Sequence, residues 1–322
     1  MLNALWHSHL GANDVDHSLL RKNLNLIVEP DSEKAAKYID WMQVLVALNP
    51  DETLLSGKKL EHVILPYAGV RESIRENVKA KPHLKLYNSH YNAAFVAQHA
   101  VAILLACANQ VTEGDRRMRQ GIWKPLSADL VNKNLIGGNC LLLGYGAISK
   151  GIEIRARTLG MSISVIRRNQ EPLENIQVYP LANLAEALNQ ADVIIASLPG
   201  TEKTKNLLNK DMINAMKSDA ILINVGRGDL IDQHALYEAM SAGHLFAAGL
   251  DVWWNYPTIG QADPDIQAAD VPLTDLPNVV MSPHRASLVE SWQFESFADV
   301  AKTLNALAKG KERNRVNLED GY

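Results

Sequence analysis

The sequence predicts a two-domain α/β protein whose strands lie parallel in doubly wound sheets. Three observations predict it. The 322 residues exceed one average domain. Short apolar runs alternate with helix-length stretches almost from end to end. One of those runs passes straight into a glycine-rich turn that opens an amphipathic helix. Hydrophobic residues make up 47% of the chain and charged residues 21%, which excludes wholesale disorder and supplies apolar material for two cores. A net charge of −4 gives no reason to expect nucleic acid or an anionic membrane as partner.

Strand signals in the first third are Asn3–His7, Leu24–Val28, Val44–Ala47, His62–Leu65 and Leu84–Tyr87, with a helix-length segment at Ser32–Met42. Strands alternating with helices argue for parallel βαβ units. From Cys140 onward the sequence supplies six strands: Cys140–Leu143, Ser162–Ile166, Val193–Ser197, Ala220–Val225, Phe246–Leu250 and Val279–Ser282. The helix after the first of these has Ile148, Ile152 and Leu159 on one face and ends at Gly160. After residue 290 the pattern is helical to about Gly310, followed by a charged tail. This last helix is expected back on the first domain.

Cys107 and Cys140 each lie in an apolar stretch without metal-like spacing, and read as small buried hydrophobes in a reducing compartment. No metal is expected. No run approaches the roughly 18–20 apolar residues of a membrane span. The N-terminal stretch has no basic segment followed by an apolar one. A cytoplasmic protein is expected.

The turn Gly144-Tyr145-Gly146-Ala147-Ile148-Ser149 approximates the G-x-G-x-x-G dinucleotide fingerprint. Gly144 permits the tight strand-to-helix turn and Gly146 a close approach of pyrophosphate. The amides opening the helix, at Ala147 and Ile148, face the anion. Ser149 replaces the third glycine. An acidic residue for the ribose hydroxyls of NAD is expected about 20 positions on. This chain instead has Arg167-Arg168-Asn169 at the end of Ser162–Ile166. A guanidinium pairs with the 2′-phosphate of NADP, whereas a carboxylate would repel it, so NADP is preferred to NAD.

From about Val63 to Ser287 the chain resembles the D-isomer-specific 2-hydroxyacid dehydrogenases, the family of glyoxylate, hydroxypyruvate and glycerate reductases. The matching segments, in order, begin with Ala68-Gly69-Val70, Val96-Ala97-Gln98-His99 and Arg119-Gln120-Gly121-Ile122-Trp123. The glycine turn follows, then Leu198-Pro199-Gly200-Thr201 with Thr204, and Asn224-Val225-Gly226-Arg227-Gly228. The last are Leu250-Asp251-Val252, Leu276-Pro277-Asn278-Val279 and Ser282-Pro283-His284-Arg285-Ala286-Ser287. The resemblance implies a Rossmann-type coenzyme domain, at 91–289, inserted into a flavodoxin-like substrate domain at 1–90 and 290–322. It also implies a homodimer paired through the helix Val96–Ala108 and the arm Arg116–Trp123. Leu198, Pro199, Thr204, Val225 and Gly226 are the implied cofactor contacts.

Reduction of a 2-oxo acid requires the carboxylate to be held, the carbonyl polarised and a proton delivered as hydride arrives. Arg227, after a strand at the carboxyl edge of the sheet, suits the first two tasks, and the resemblance assigns it that role. The resemblance adds Ala68, Gly69 and Val70 as further carboxylate contacts. His284 is the candidate acid/base, since only histidine has an unperturbed pKa near neutrality. Asp251, ending its strand, is implied to face the nicotinamide end of the cofactor and to support the active site. For His99 a purely helical packing role is preferred, and His7, His9 and His90 have no comparable context.

One departure matters. The family carries a glutamate five residues after this aspartate, hydrogen-bonded to the catalytic histidine. Here that position is Tyr256, with Pro257 retained. A phenol does not stabilise an imidazolium as a carboxylate does. Three consequences are open: Tyr256 orients a less basic His284, a carboxylate such as Asp263 or Asp265 substitutes, or the chemistry is weak or different. Trp253, Trp254 and Tyr256 suggest either an aromatic-lined pocket or ordinary packing, as does Trp292. The leading expectation is NADPH-dependent reduction of a small 2-oxo acid such as glyoxylate or hydroxypyruvate. The alternatives are a larger or aromatic 2-oxo acid, a formate-dehydrogenase-like reaction that needs no general acid, and a dinucleotide-sensing interaction protein.

Overall fold

The computed structural model describes residues 1–8, 15–126, 128–257 and 265–319. The chain divides into two compact units, Met1–Asn92 with Leu288–Tyr322, and Ala93–Ser287. The second is therefore an insertion in the sequence of the first. His9 and Asp263 lie outside the described residues.

In the first unit, strands β1 (Leu2–His7), β2 (Leu24–Val28), β3 (Val44–Ala47), β4 (His62–Ile64) and β5 (Lys85–Tyr87) form a parallel sheet in the order β2-β1-β3-β4-β5. This is the flavodoxin-like order. Side chains alternate between faces with the strand period of two. Leu5, Leu45, Val63 and Leu86 enter one core. Ala4, Trp6, Val44, Val46 and Ile64 enter the other, where Phe297, Val300 and Leu304 of the helix Trp292–Leu307 cover them. Both faces are thus covered, as parallel sheets require. Ser32–Met42 is broken into a short helix at Ser32–Ala35 and a 3-10 turn at Ala36–Tyr38 rather than one continuous helix.

In the second unit, β6 (Asn139–Leu143), β7 (Ser162–Ile166), β8 (Gln177–Tyr179), β9 (Val193–Ala196), β10 (Ile221–Asn224), β11 (Ala247–Leu250) and β12 (Val279–Met281) form a parallel sheet. Their order is β12-β11-β10-β9-β6-β7-β8. The sequence supplied six of these seven. It missed β8, a three-residue edge strand whose only buried residue is Tyr179, too short for its alternation to register. Chain order reverses at β6, between β7 and β9, which creates the crevice where open α/β sheets bind ligands.

Helices Ala93–Ala108 and Ala147–Thr158 cover one face through Val96, Ala100, Leu104 and Ile152. The first approaches so closely that a Cβ on Gly249 would fall 2.2 Å from Ile103 Cγ2. Cys107 and Cys140 belong to the same core, and burial pushes both thiols up to about 12. Among the described residues, no single helix is long and apolar enough to cross a membrane.

Candidate active site

β6 ends at Leu143 and turns at Gly144, whose φ of 87° lies in the left-handed region that favours glycine. Leu198 packs against this turn, and its Cδ2 would stand 2.8 Å from a Cβ at Gly144. Gly146 then caps the helix Ala147–Thr158 with no side-chain hydrogen bond to the cap. A Cβ built at Gly146 would meet nothing within 4 Å. An open approach to bare helix-opening amides fits a pyrophosphate. Ser149 is fully buried, and its hydroxyl donates to Gly144 O at 2.8 Å and meets Ser197 Oγ at 2.7 Å. The residue replacing the third glycine therefore ties the turn to the end of β9 instead of opening it.

Arg167 follows β7. Its guanidinium donates to the carbonyls of Asn169 and, at 3.0 Å, Glu171, so part of its fork is engaged by its own loop. It also lies 6.0 Å from the Tyr145 ring centroid, and Lys150 Nζ lies 5.7 Å from the same centroid. Tyr145 is anchored by its hydroxyl, which donates to Glu153 at 2.5 Å. The glycine turn and the end of β7 thus share one basic, aromatic-backed surface. Arg168 is exposed beside it.

The Leu198-Pro199 loop is braced by Thr204, whose hydroxyl donates to Pro199 O at 2.8 Å and accepts from Thr201 N at 2.8 Å. Gly226 lies under this loop, where a Cβ would fall 2.7 Å from Leu198 O. The neighbouring Val225 is buried. The sequence reading gave no role to Asn224, yet its buried amide builds the turn that carries Arg227. Its Oδ1 accepts Gly226 N at 3.0 Å, and its Nδ2 donates to Arg227 O at 2.8 Å. Arg227 is exposed, with Nη1 donating to Gly226 O at 2.7 Å.

His284 follows β12 in a turn where it adopts a φ of 51°, uncommon for a residue with a Cβ. Asp251, at the end of β11, holds that turn. Its Oδ1 accepts Ser282 Oγ at 2.5 Å and Arg285 N at 3.0 Å, and its Oδ2 accepts Ala286 N at 3.2 Å. With 1% exposure and both oxygens occupied, the carboxylate supports the His284 turn rather than presenting itself to a cofactor.

The Tyr256 ring packs against the His284 ring, with centroids 5.4 Å apart. Its hydroxyl accepts Trp253 N at 3.0 Å, so the contact between the two is ring on ring. Desolvation pushes the His284 imidazole below its ordinary value. Asp251 acts against that shift and the Arg227 charge acts with it. Tyr256 feels Arg227 and Asp251 in turn, though burial dominates and raises its phenol. These four side chains therefore form one electrostatic cluster at the carboxyl ends of β10, β11 and β12.

Trp253 and Trp254 belong to the packing. Their indole N–H groups donate to Ser282 O and Ile231 O, each at 2.8 Å, and their rings join the core. Asp265 is exposed. His99 does lie on a helix, but the packing role preferred from sequence is incomplete. Its Nε2 is 2.9 Å from Ser282 Oγ and 3.3 Å from Asp251 Oδ1. Its place in a matched segment was the available signal. Ala68, Gly69 and Val70 lie in the first unit after β4, half-buried, with Ala68 O accepting from Asn88 at 2.7 Å. Trp292 opens the last helix of that unit.

Residues 101–286 match the NAD-binding domain of the D-isomer specific 2-hydroxyacid dehydrogenases. The chain is 33% identical to the glyoxylate reductase of Korarchaeum cryptofilum over 232 residues, 69% of this chain and 66% of that protein. It is 28% identical to the hydroxypyruvate reductase of Thermotoga maritima over 258 residues, 79% of this chain and 81% of that one. It spans 59% of the D-3-phosphoglycerate dehydrogenase of Archaeoglobus fulgidus, at 29% identity over 91% of this chain. Among solved structures, a protein from Thermus thermophilus superposes with a TM-score of 0.72 at 29% identity, covering 98% of this chain and 100% of that one. A Xanthobacter autotrophicus protein solved with NADPH and MES shares the fold, with a TM-score of 0.80 at 20% identity and 99% coverage of both chains. The chain belongs to the D-isomer specific 2-hydroxyacid dehydrogenase family.

Proposed function

We propose that the protein is a nicotinamide-dinucleotide-dependent oxidoreductase that interconverts a small 2-oxo acid and its D-2-hydroxy acid. The clustering of Arg227, His284, Asp251 and Tyr256 at one carboxyl edge carries this reading. Arg227 holds the substrate carboxylate and polarises the adjacent carbonyl through its planar cationic fork. His284 delivers the proton to the developing alkoxide at its imidazole nitrogen, and removes it in the reverse direction. The bound dinucleotide supplies or accepts the hydride.

NADPH is the preferred reductant. Arg167 and Lys150 converge on Tyr145 beside the glycine turn, and Arg168 adds a further positive charge. Glyoxylate and hydroxypyruvate are the substrates favoured by the relatives so named. The active form is a homodimer in the cytoplasm, paired near the arm Arg116–Trp123, where Met118, Ile122 and Trp123 expose apolar side chains. A second reading, a dinucleotide sensor with little turnover, is favoured by one observation: the position facing His284 carries a phenol whose hydroxyl is spent on Trp253.

The test is a steady-state assay with NADPH and NADH against glyoxylate, hydroxypyruvate, pyruvate and phenylpyruvate. NADPH-dependent reduction of the small acids supports the enzyme. Preference for phenylpyruvate moves the substrate class. Tight NADPH binding without turnover on any acid favours the sensor.

A further inference from the structure

We infer that His99 is a positioning residue for His284, acting through Ser282 and Asp251. The inference rests on the reading of His284 as the acid/base, but its geometry stands apart from that reading. His99 comes from the middle of the helix Ala93–Ala108, whereas the turn it reaches follows β12. The serine has one proton, and that proton goes to Asp251 Oδ1 at 2.5 Å, because a carboxylate only accepts. At 2.9 Å from His99 Nε2, Ser282 Oγ must therefore accept, and Nε2 carries the hydrogen. The same N–H lies 3.3 Å from Asp251 Oδ1.

This is not a nucleophile-activating triad. Such a triad uses one imidazole nitrogen for the serine and the other for the carboxylate, and draws the serine proton onto histidine. Here one nitrogen faces both partners and the serine proton points away from it. The arrangement is a clamp. Asp251 and Ser282 are buried, and the same carboxylate receives the amides of Arg285 and Ala286 on the far side of His284. Ser282 is pinned further by its own N–H to Leu250 O at 2.8 Å, and by its carbonyl to the Trp253 indole. His99 fixes the remaining freedom, the serine hydroxyl and the carboxylate rotamer. The left-handed backbone at His284 persists only where its surroundings over-determine it.

The test compares full-length wild type, His99→Leu and His99→Gln, since a glutamine amide can place a donor where Nε2 stands. Hydrogen exchange of the Arg285 and Ala286 amides is read without ligands, and kcat and KM are read with NADPH and hydroxypyruvate. Loss of a part-buried hydrogen bond to a hydroxyl that is itself bound to a carboxylate predicts exchange faster by about tenfold in His99→Leu, confined to this turn. A comparable fall in kcat is expected with KM for NADPH changed by less than about twofold. His99→Gln is expected to restore both. Wild-type exchange at these amides in His99→Leu overturns the proposal, as does a loss of protection spread over the whole second unit. Failure of the glutamine to rescue a confined defect overturns it too. If His99→Leu does not fold, Ser282→Ala removes the bridging hydroxyl without touching the helix. It must then reproduce the faster exchange, or the clamp is refuted. If wild type turns over no 2-oxo acid, the enzymatic reading fails while the exchange data still decide the role of His99.

Discussion

The ring of Tyr256 lies 5.4 Å from the ring of His284 at an interplanar angle of 59°, and its hydroxyl points away to accept the Trp253 amide at 3.0 Å. The imidazole thus meets an aromatic face where relatives place a carboxylate, and it is pushed below its ordinary value of 6.5, chiefly by desolvation.

A pH dependence follows. With His284 as the proposed acid, reduction needs the protonated imidazole, so kcat/KM for the 2-oxo acid should fall as pH rises through a value below 6.5. Oxidation of the hydroxy acid needs the neutral form and should persist to correspondingly lower pH. Tyr256→Glu places an anion beside the ring, favours its charged form and should move both limbs upward by about one to three units. Steady-state profiles of both directions check this. Unmoved limbs would refute the link between Tyr256 and His284.

In the proposed reaction Arg227 holds the anionic end of the substrate. Arg227→Gln should lower kcat/KM for glyoxylate by about 10²–10³-fold, mirroring the loss of a preorganised charged donor. Arg227→Lys should recover only part of it, because an ammonium keeps the charge but not the bidentate fork. NADPH affinity should stay near wild type in both. A matching loss of nucleotide binding would instead mean a misfolded 224–228 turn.

Nucleotide choice should reside on the surface backed by Tyr145. Removing a charge-assisted contact to the 2′-phosphate, with Arg167→Ala or Lys150→Ala, should weaken NADPH binding by about tenfold or more. NADH should change little. Fluorescence titration with both nucleotides reads this directly, and equal losses for the two would refute it.

Gly228 is fixed by packing rather than by chemistry. A Cβ there would fall 2.0 Å from Trp253 O, a backbone atom with little room to yield. Gly228→Ala should destabilise by about 1–3 kcal/mol. For a unit of this size that is a fall in Tm of about 2–4 °C per kcal/mol, readable by calorimetry. An unchanged Tm would mean the 228 and 253 segments part easily.

Much of the fold was legible because parallel strands buried on both faces are written as continuous apolar runs. Val193–Ala196 and Ile221–Asn224 are buried throughout and stand out for that reason. Gln177–Tyr179 did not, since an edge strand with one buried residue leaves almost no pattern. At the site, local motifs pointed to Gly144, Arg227 and His284, whose placement follows from turns in their own neighbourhood. The support beneath them was not legible. His99 meets Ser282 across 183 residues, and Asp251 meets the 282–286 turn across more than 30; neither separation has a sequence signature. The same holds for Ser149, which replaces the third glycine and ties the turn after β6 to the end of β9.

The most direct measurement is NADPH oxidation with hydroxypyruvate by wild type and His284→Ala, with NADPH binding followed in parallel by fluorescence. Wild type is expected to turn over, with kcat lower by about 10²–10⁴-fold in the variant and nucleotide affinity near wild type in both. Undiminished turnover in His284→Ala, or no turnover in a wild type that binds NADPH well, would contradict the proposed reaction.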